Sequence, residues 1–153
     1  EWVRLPALDG AQLLCAPVNW PAAPHPDGER PAEIVKAQAG AAVNRMFVAV
    51  CDRTGTERGA DWISGSIIID ADGWPLATAA PGAGPVTITA GCRLDDALSK
   101  DVSALSNVHR DRRPDLYRRI AEPAPGRLVA EPAPGRLVAE PTRPAAQGGS
   151  ASP

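Results

Sequence analysis

Three cysteines and two histidines are the residues of this chain best suited to nucleophilic or metal chemistry. Cys15, Cys51 and Cys92 are odd in number and widely spaced, which suits neither a disulfide framework nor a paired-ligand zinc site. Cys15 and Cys51 fall inside the apolar runs 11–18 (AQLLCAPV) and 46–51 (MFVAVC), where a thiol packs as a small buried hydrophobe. His25 lies in a Pro-rich stretch, 19–28 (NWPAAPHPDG), and His109 in a charged one, 107–113 (NVHRDRR). A thiol attacks carbon only after a neighbouring base has taken its proton. Neither histidine stands beside a cysteine in sequence, so nothing points to a self-contained Cys–His site, and no metal or cofactor is expected.

The oxygen-bearing side chains are no more convergent. Glu29, Glu33, Asp52, Glu57, Asp61, Asp70 and Asp72 stand mostly in loops or at turns, where capping or solvation explains them. Spacing alone brings no two of them together as a glycosidase pair requires. The SGS at 64–66 is followed by isoleucines and a turn, not by the helix a nucleophile elbow needs. In 110–117 (RDRRPDLY) Asp111 and Asp115 interleave with Arg110, Arg112 and Arg113, the pattern of compensating surface ion pairs.

The elements that would position these residues alternate in type. Residues 2–9 read as a short helix stopping at Gly10, and 11–18 as a buried strand closing at Pro17. After the Pro-rich loop, Ile34, Ala37, Ala41 and Ala42 recur at helical spacing between about Pro31 and Arg45. A strand at 46–51, a polar loop at 52–61 and a strand at 62–69 follow; the last returns through DADG into 74–78 as a hairpin. A final strand is expected at 86–92 (VTITAGC). The order α, β, α and then several β predicts an α/β layered fold, a sheet covered by helices on one face.

Near residue 119 the composition changes. Two identical nine-residue units, AEPAPGRLV at 121–129 and 130–138, and the start of a third offer only Leu and Val for burial while Pro removes backbone donors. Residues 1–118 are therefore expected to form one partial domain and 119–153 a disordered Pro/Ala/Gly-rich tail. The net charge of −2 gives no electrostatic reason for a nucleic-acid partner. The apolar runs fall far short of the ~20 residues that cross a bilayer, so no membrane partner and a cytoplasmic location are expected.

Several motifs together resemble the nitrilase superfamily, the carbon–nitrogen hydrolases. NWP (19–21) follows the first strand as that family's loop does. AGAAVNRMFVAVCDRTG (39–55) resembles its helix ending in Asn, here Asn44, then a buried strand and an Asn/Asp-Arg-x-Gly turn. WISGSIIIDADG (62–73) keeps Ser66, Ile68, Asp70 and Gly73 of a family pattern, with Ser64 where Gly is usual and Ala71 where Pro is usual. RRPDLY (112–117) resembles a C-terminal signature.

The resemblance implies the C-terminal half of a four-layer α-β-β-α sandwich. EWVRLPALDGAQLLCAP resembles the end of the motif that carries the nucleophilic Cys, so that Cys, the general-base Glu and the Lys would all precede Glu1, and no catalytic residue is expected within this chain. Asn19 and Trp20 fall where related amidases place a substrate-facing aromatic. The implied function is a fragment of a thiol-dependent amidase or carbamoyl amidase, inactive by itself. Its substrate in the parent enzyme would be a small amide or carbamoyl compound, and the parent would be a homo-oligomer. The alternative is a noncatalytic piece that pairs with an intact homologue.

Overall fold

The computed structural model describes residues 1–80 and 84–122. The chain divides into two compact units, 1–113 and 114–153. In the first, α1 (Arg4–Leu8) leads into β1 (Leu13–Val18), α2 (Ala32–Asn44) and β2 (Phe47–Asp52). Two short strands, β3 (Thr56–Glu57) and β4 (Ala60–Asp61), precede β5 (Ile67–Ile69) and β6 (Pro75–Thr78). A 3-10 turn at Leu94–Ala97 and the strands β7 (Asp101–Ser103) and β8 (Ser106–Asn107) complete it. The described part of the second unit holds 3-10 turns at Pro114–Leu116 and Arg118–Ala121. The repeats from residue 123 onward lie outside the described residues. No helix among the described residues is long and apolar enough to cross a membrane.

The main sheet has the order β1-β2-β5-β6. β1 and β2 are parallel, so the chain must cross over between them, and α2 is that crossover. The β2–β5 and β5–β6 pairs are antiparallel. Because strand side chains alternate, Leu14, Ala16, Val18, Val48, Val50, Ile67 and Ile69 share the face that meets α2. There Ile34, Ala41, Val48, Val50, Ile67 and Ile69 form a buried cluster. Ala41 is fully buried, and its small side chain lets the helix axis lie close to the sheet. On the other face Phe47, Ala71 and Ala97 make a smaller cluster with Leu13 and Cys92.

Asn44, the last residue of α2, donates from Nδ2 to the Gly40 carbonyl. Arg45 then turns the chain in a left-handed conformation with φ 48°. Lys100 closes that end, its Nζ donating to the carbonyls of Asn44 at 3.2 Å and Arg45 at 2.8 Å. A cation on the last carbonyls of a helix also complements its dipole.

Five local expectations need correction. β1 is an edge strand, half-buried instead of buried, and runs through Pro17 to Val18; an edge position tolerates the missing donor of Pro17. Cys15 and Cys51 are exposed, because both project from the face away from α2. The loop 52–61 contains the β3–β4 hairpin, turned by Arg58 and Gly59 with φ 52° and 80°. Both positive angles fit a type I′ turn, but Arg-Gly lacks the Asn or Asp that usually marks one. Of 62–69 only Ile67–Ile69 is strand, and 86–92 has no ladder partner among the described residues, although Ile88, Ala90 and Cys92 alternate inward.

Candidate functional site

β1 and β2 end at the same level, Val18 opposite Asp52, and in open α/β sheets ligands gather at the carboxyl ends of parallel strands. The residues that emerge there are Asn19 and Trp20 from β1 and Arg53 and Thr54 from β2. A groove of about 350 Å³ lies between them, lined by Pro17, Val18, Asn19, Cys51, Asp52 and Arg53.

Asp52 holds this end together. One carboxylate oxygen accepts the Trp20 backbone N–H at 3.0 Å, and the other accepts the Gly65 N–H at 2.8 Å. The Asp52 N–H donates to Ser66 Oγ at 2.9 Å. Ile63 N–H donates to the Trp20 carbonyl at 3.1 Å, and Ala22 N–H to that of Asp61 at 2.7 Å. The sequence alone left Asp52 among carboxylates explained by capping or solvation; the structure makes it an anchor for three segments. With both oxygens engaged by amides, it has little room to act as a general base.

Arg53 stands over the Trp62 ring, 5.5 Å from its centroid, and pairs with Glu57. A guanidinium stacked on an aromatic face and ion-paired at once is fixed in direction. The groove is thus lined by the Asp52 carboxylate and by an Arg53 guanidinium already paired with Glu57.

Asn19 and Trp20 part company. Asn19 is exposed and lines the groove with Cys51 and Arg53. Trp20 packs against the buried cluster on the α2 face and lines a separate cavity of about 340 Å³ with Trp2, Glu33 and Lys36. The two neighbours therefore line different cavities, Asn19 the groove at the strand ends and Trp20 the one on the α2 side.

The other chemistry-bearing groups stay dispersed. Cys15 and Cys51 line one cavity of about 470 Å³ on the sheet face away from α2, where Val86, Thr87 and Ile88 pass over them. Among the described residues no cysteine thiol hydrogen-bonds to a histidine, lysine or carboxylate, and no three His, Cys, Asp or Glu side chains group as a metal site. His25 lines a third cavity, of about 570 Å³, with Glu29, Arg30 and Ser64 at the amino end of α2. His109 lies by Lys100, toward the opposite end of that helix, and its imidazole is held below the usual histidine value by burial and by the charges of Lys100, Arg4 and Arg112.

The family model described as carbon-nitrogen hydrolase matches residues 1–99. No curated protein matches the chain. Among solved structures, the carbon-nitrogen hydrolase from Helicobacter pylori G27 is similar with TM-score 0.62 and 22% identity, over 78% of this chain and 44% of that one. A mutant of the Nesterenkonia AN1 amidase from the nitrilase superfamily gives 0.56 and 23%, over 77% and 38%. A further mutant of that amidase, showing covalent addition of the acetamide moiety of fluoroacetamide at the active site cysteine, gives 0.53 and 24%, over 76% and 38%. These likenesses establish a shared fold, and the chain spans less than half the length of each of these three structures.

Proposed function

Because the chain belongs to the carbon–nitrogen hydrolase family, we propose that it supplies the scaffold and one wall of the pocket of a thiol-dependent amidase or carbamoyl amidase. The substrate is a small linear amide or carbamoyl compound with a non-peptide C–N bond. The attacking Cys, its Glu base and the Lys that stabilises the oxyanion come from residues outside this chain, and the chain by itself does not hydrolyse amides. The observation that carries this reading is the match of the carbon-nitrogen hydrolase model to residues 1–99, beside three free cysteines of which none hydrogen-bonds to a histidine, lysine or carboxylate among the described residues.

In such a reaction a base takes the thiol proton, the thiolate adds to the amide carbon, and preorganised donors hold the tetrahedral oxyanion before ammonia or amine leaves. A thiol without an adjacent base is only a few per cent thiolate near neutral pH and begins that sequence slowly. What this chain contributes is placement: Asn19 toward the groove, the Trp20 ring on the α2 side, and the Arg53–Trp62 stack behind them. Its free cysteines agree with a reducing, cytoplasmic setting.

The test is complementation. The purified chain is mixed or co-expressed with the N-terminal half of a related amidase, which carries the Cys, Glu and Lys, and ammonia release from acetamide and a carbamoyl amine is measured. Activity should need both polypeptides and vanish when the Cys of the added half becomes Ala. Hydrolysis by the chain alone, lost on Cys51→Ala, would overturn the proposal. A second reading, a noncatalytic partner of an intact homologue, draws on the exposed sheet face bearing Cys15, Pro17 and Cys51. It gains if the chain binds such a homologue without restoring turnover to a catalytic half.

A further inference from the structure

We propose that Asp52 is the positioning residue of the pocket wall: its carboxylate bridges the amides of Trp20 and Gly65 and so fixes where the β1 loop and the segment before β5 stand. The inference rests on the hydrolase reading for its consequence in catalysis, but not for its geometry. The two amides come from segments far apart in the chain, and each takes a different oxygen, at 3.0 and 2.8 Å. The carboxylate is itself held in place, because the Asp52 N–H is bound to Ser66 Oγ and that hydroxyl lies 3.4 Å from the Asp52 carbonyl.

Gly65 shows how tightly the segment is placed. A Cβ there would come within 2.9 Å of Ile34 Cδ1 and 3.1 Å of Ile63 Cδ1, so the backbone passes against the core while its N–H faces Asp52. On the other side the Trp20 N–H is bound by Asp52 and the Trp20 carbonyl by Ile63 N–H, so both backbone groups of the residue are committed. From that fixed backbone the Trp20 side chain packs against the buried cluster and forms part of the wall of the α2-side cavity. An ionised carboxylate suits this task because it is acceptor-only and can face two N–H donors at once. An amide of the same shape cannot: Asn offers one oxygen and one NH₂, and the NH₂ would confront a donor.

That asymmetry supplies the test. Amide hydrogen exchange is followed by NMR on the full chain, wild type and with Asp52→Asn or Asp52→Ala. In the wild type the Trp20 and Gly65 amides should exchange at least tenfold more slowly than the exposed loop amides of Ala23 and His25. In Asp52→Asn one of the two should lose that protection and the other keep it; in Asp52→Ala both should lose it, with the β2 amides of Val48 and Val50 unchanged. Unprotected amides in the wild type, or equal protection of both in Asp52→Asn, would overturn the proposal, and the wild-type arm holds even if a variant fails to fold. In the complemented hydrolase, Asp52→Ala should raise KM about tenfold with kcat within twofold; a fall in kcat alone would refute the positioning role. The exchange arm needs no turnover, so a failed complementation with the expected exchange pattern would count against the hydrolase reading and leave Asp52 standing.

Discussion

Replacing Gly73 by Ala probes the seat of α2 on the sheet. Gly73 closes the turn between β5 and β6 with φ +91°, a left-handed conformation that costs an L-residue about 1–2 kcal/mol. An added Cβ would also lie 2.9 Å from Ala42 Cβ and 2.9 Å from the Gln38 carbonyl oxygen. Neither atom can swing aside, since one is fixed to the helix and the other belongs to its backbone. Overpacking of this kind costs about 1–3 kcal/mol. The turn is further tied to the helix by Gln38 Nε2, which donates to the Gly73 carbonyl at 2.8 Å, so helix and turn would have to part together. The total is about 2–5 kcal/mol, a large share of a domain's usual 5–15. Gly55 supplies the control: its φ is +85°, and nothing lies within 4 Å of its Cβ direction. Gly55→Ala should therefore lose only the backbone part, about 1–2 kcal/mol. Urea unfolding followed by circular dichroism measures both. Equal losses for the two variants would refute the close approach of the turn to α2. The double variant Gly73→Ala with Ala42→Gly should recover part of the loss but not all, because the Gln38 oxygen remains.

Burial, together with the Lys100, Arg4 and Arg112 charges around it, lowers the His109 pKa, so the fold prefers the neutral ring. That contribution is complete above the unfolded value of about 6.5 and is lost as pH falls through the lower folded value. Wild-type stability should therefore drop more than that of His109→Gln between about pH 7 and pH 5, and parallel profiles would contradict the burial. Lys100→Met keeps the side-chain stem but deletes both donors to the end of α2; it should cost about 1.5–3 kcal/mol in urea unfolding, and a loss below about 0.5 would show the cap to be idle. Iodoacetamide should label Cys15 and Cys51 in the folded chain well before Cys92, which packs on the Phe47 cluster. Mass mapping that finds Cys92 labelled first would contradict that placement.

The long elements were legible because their signals are local and repeated. Ile34, Ala37 and Ala41 mark the buried stripe of α2 over several turns, and the MFVAVC run becomes β2 almost as written. The β5–β6 hairpin was visible through DADG, whose Asp70 Oδ1 accepts the N–H groups of Asp72 and Trp74 at 2.9 and 2.8 Å. What misled was coverage. Alternation in AQLLCAPV reveals that two faces differ but not which has a partner, and so Cys15 was placed inside while it stands at the surface. VTITAGC carries strand propensity and even the inward alternation of Ile88, Ala90 and Cys92, yet a strand exists only where another backbone accepts its ladder, and none does among the described residues.

Asn19 and Trp20 illustrate a different limit. Their position after the first strand was evident, but not that Asn19 would line the groove at the strand ends while Trp20 lines the α2-side cavity. The groove that Asn19 lines is completed by Cys51, Asp52 and Arg53 from the neighbouring strand, a juxtaposition set by the parallel register of Val18 with Asp52. Asp52 was hidden for a related reason: its partners are backbone amides, which every residue but proline carries and no sequence pattern marks. A carboxylate at the end of a strand, in CDRTG, looks like any turn acid until the Trp20 and Gly65 N–H groups are seen to face its two oxygens. The physical reason it must be there is the same one that made it unreadable. Where three segments converge, their amides must be satisfied by something, and a fixed anion meets two of them with one side chain.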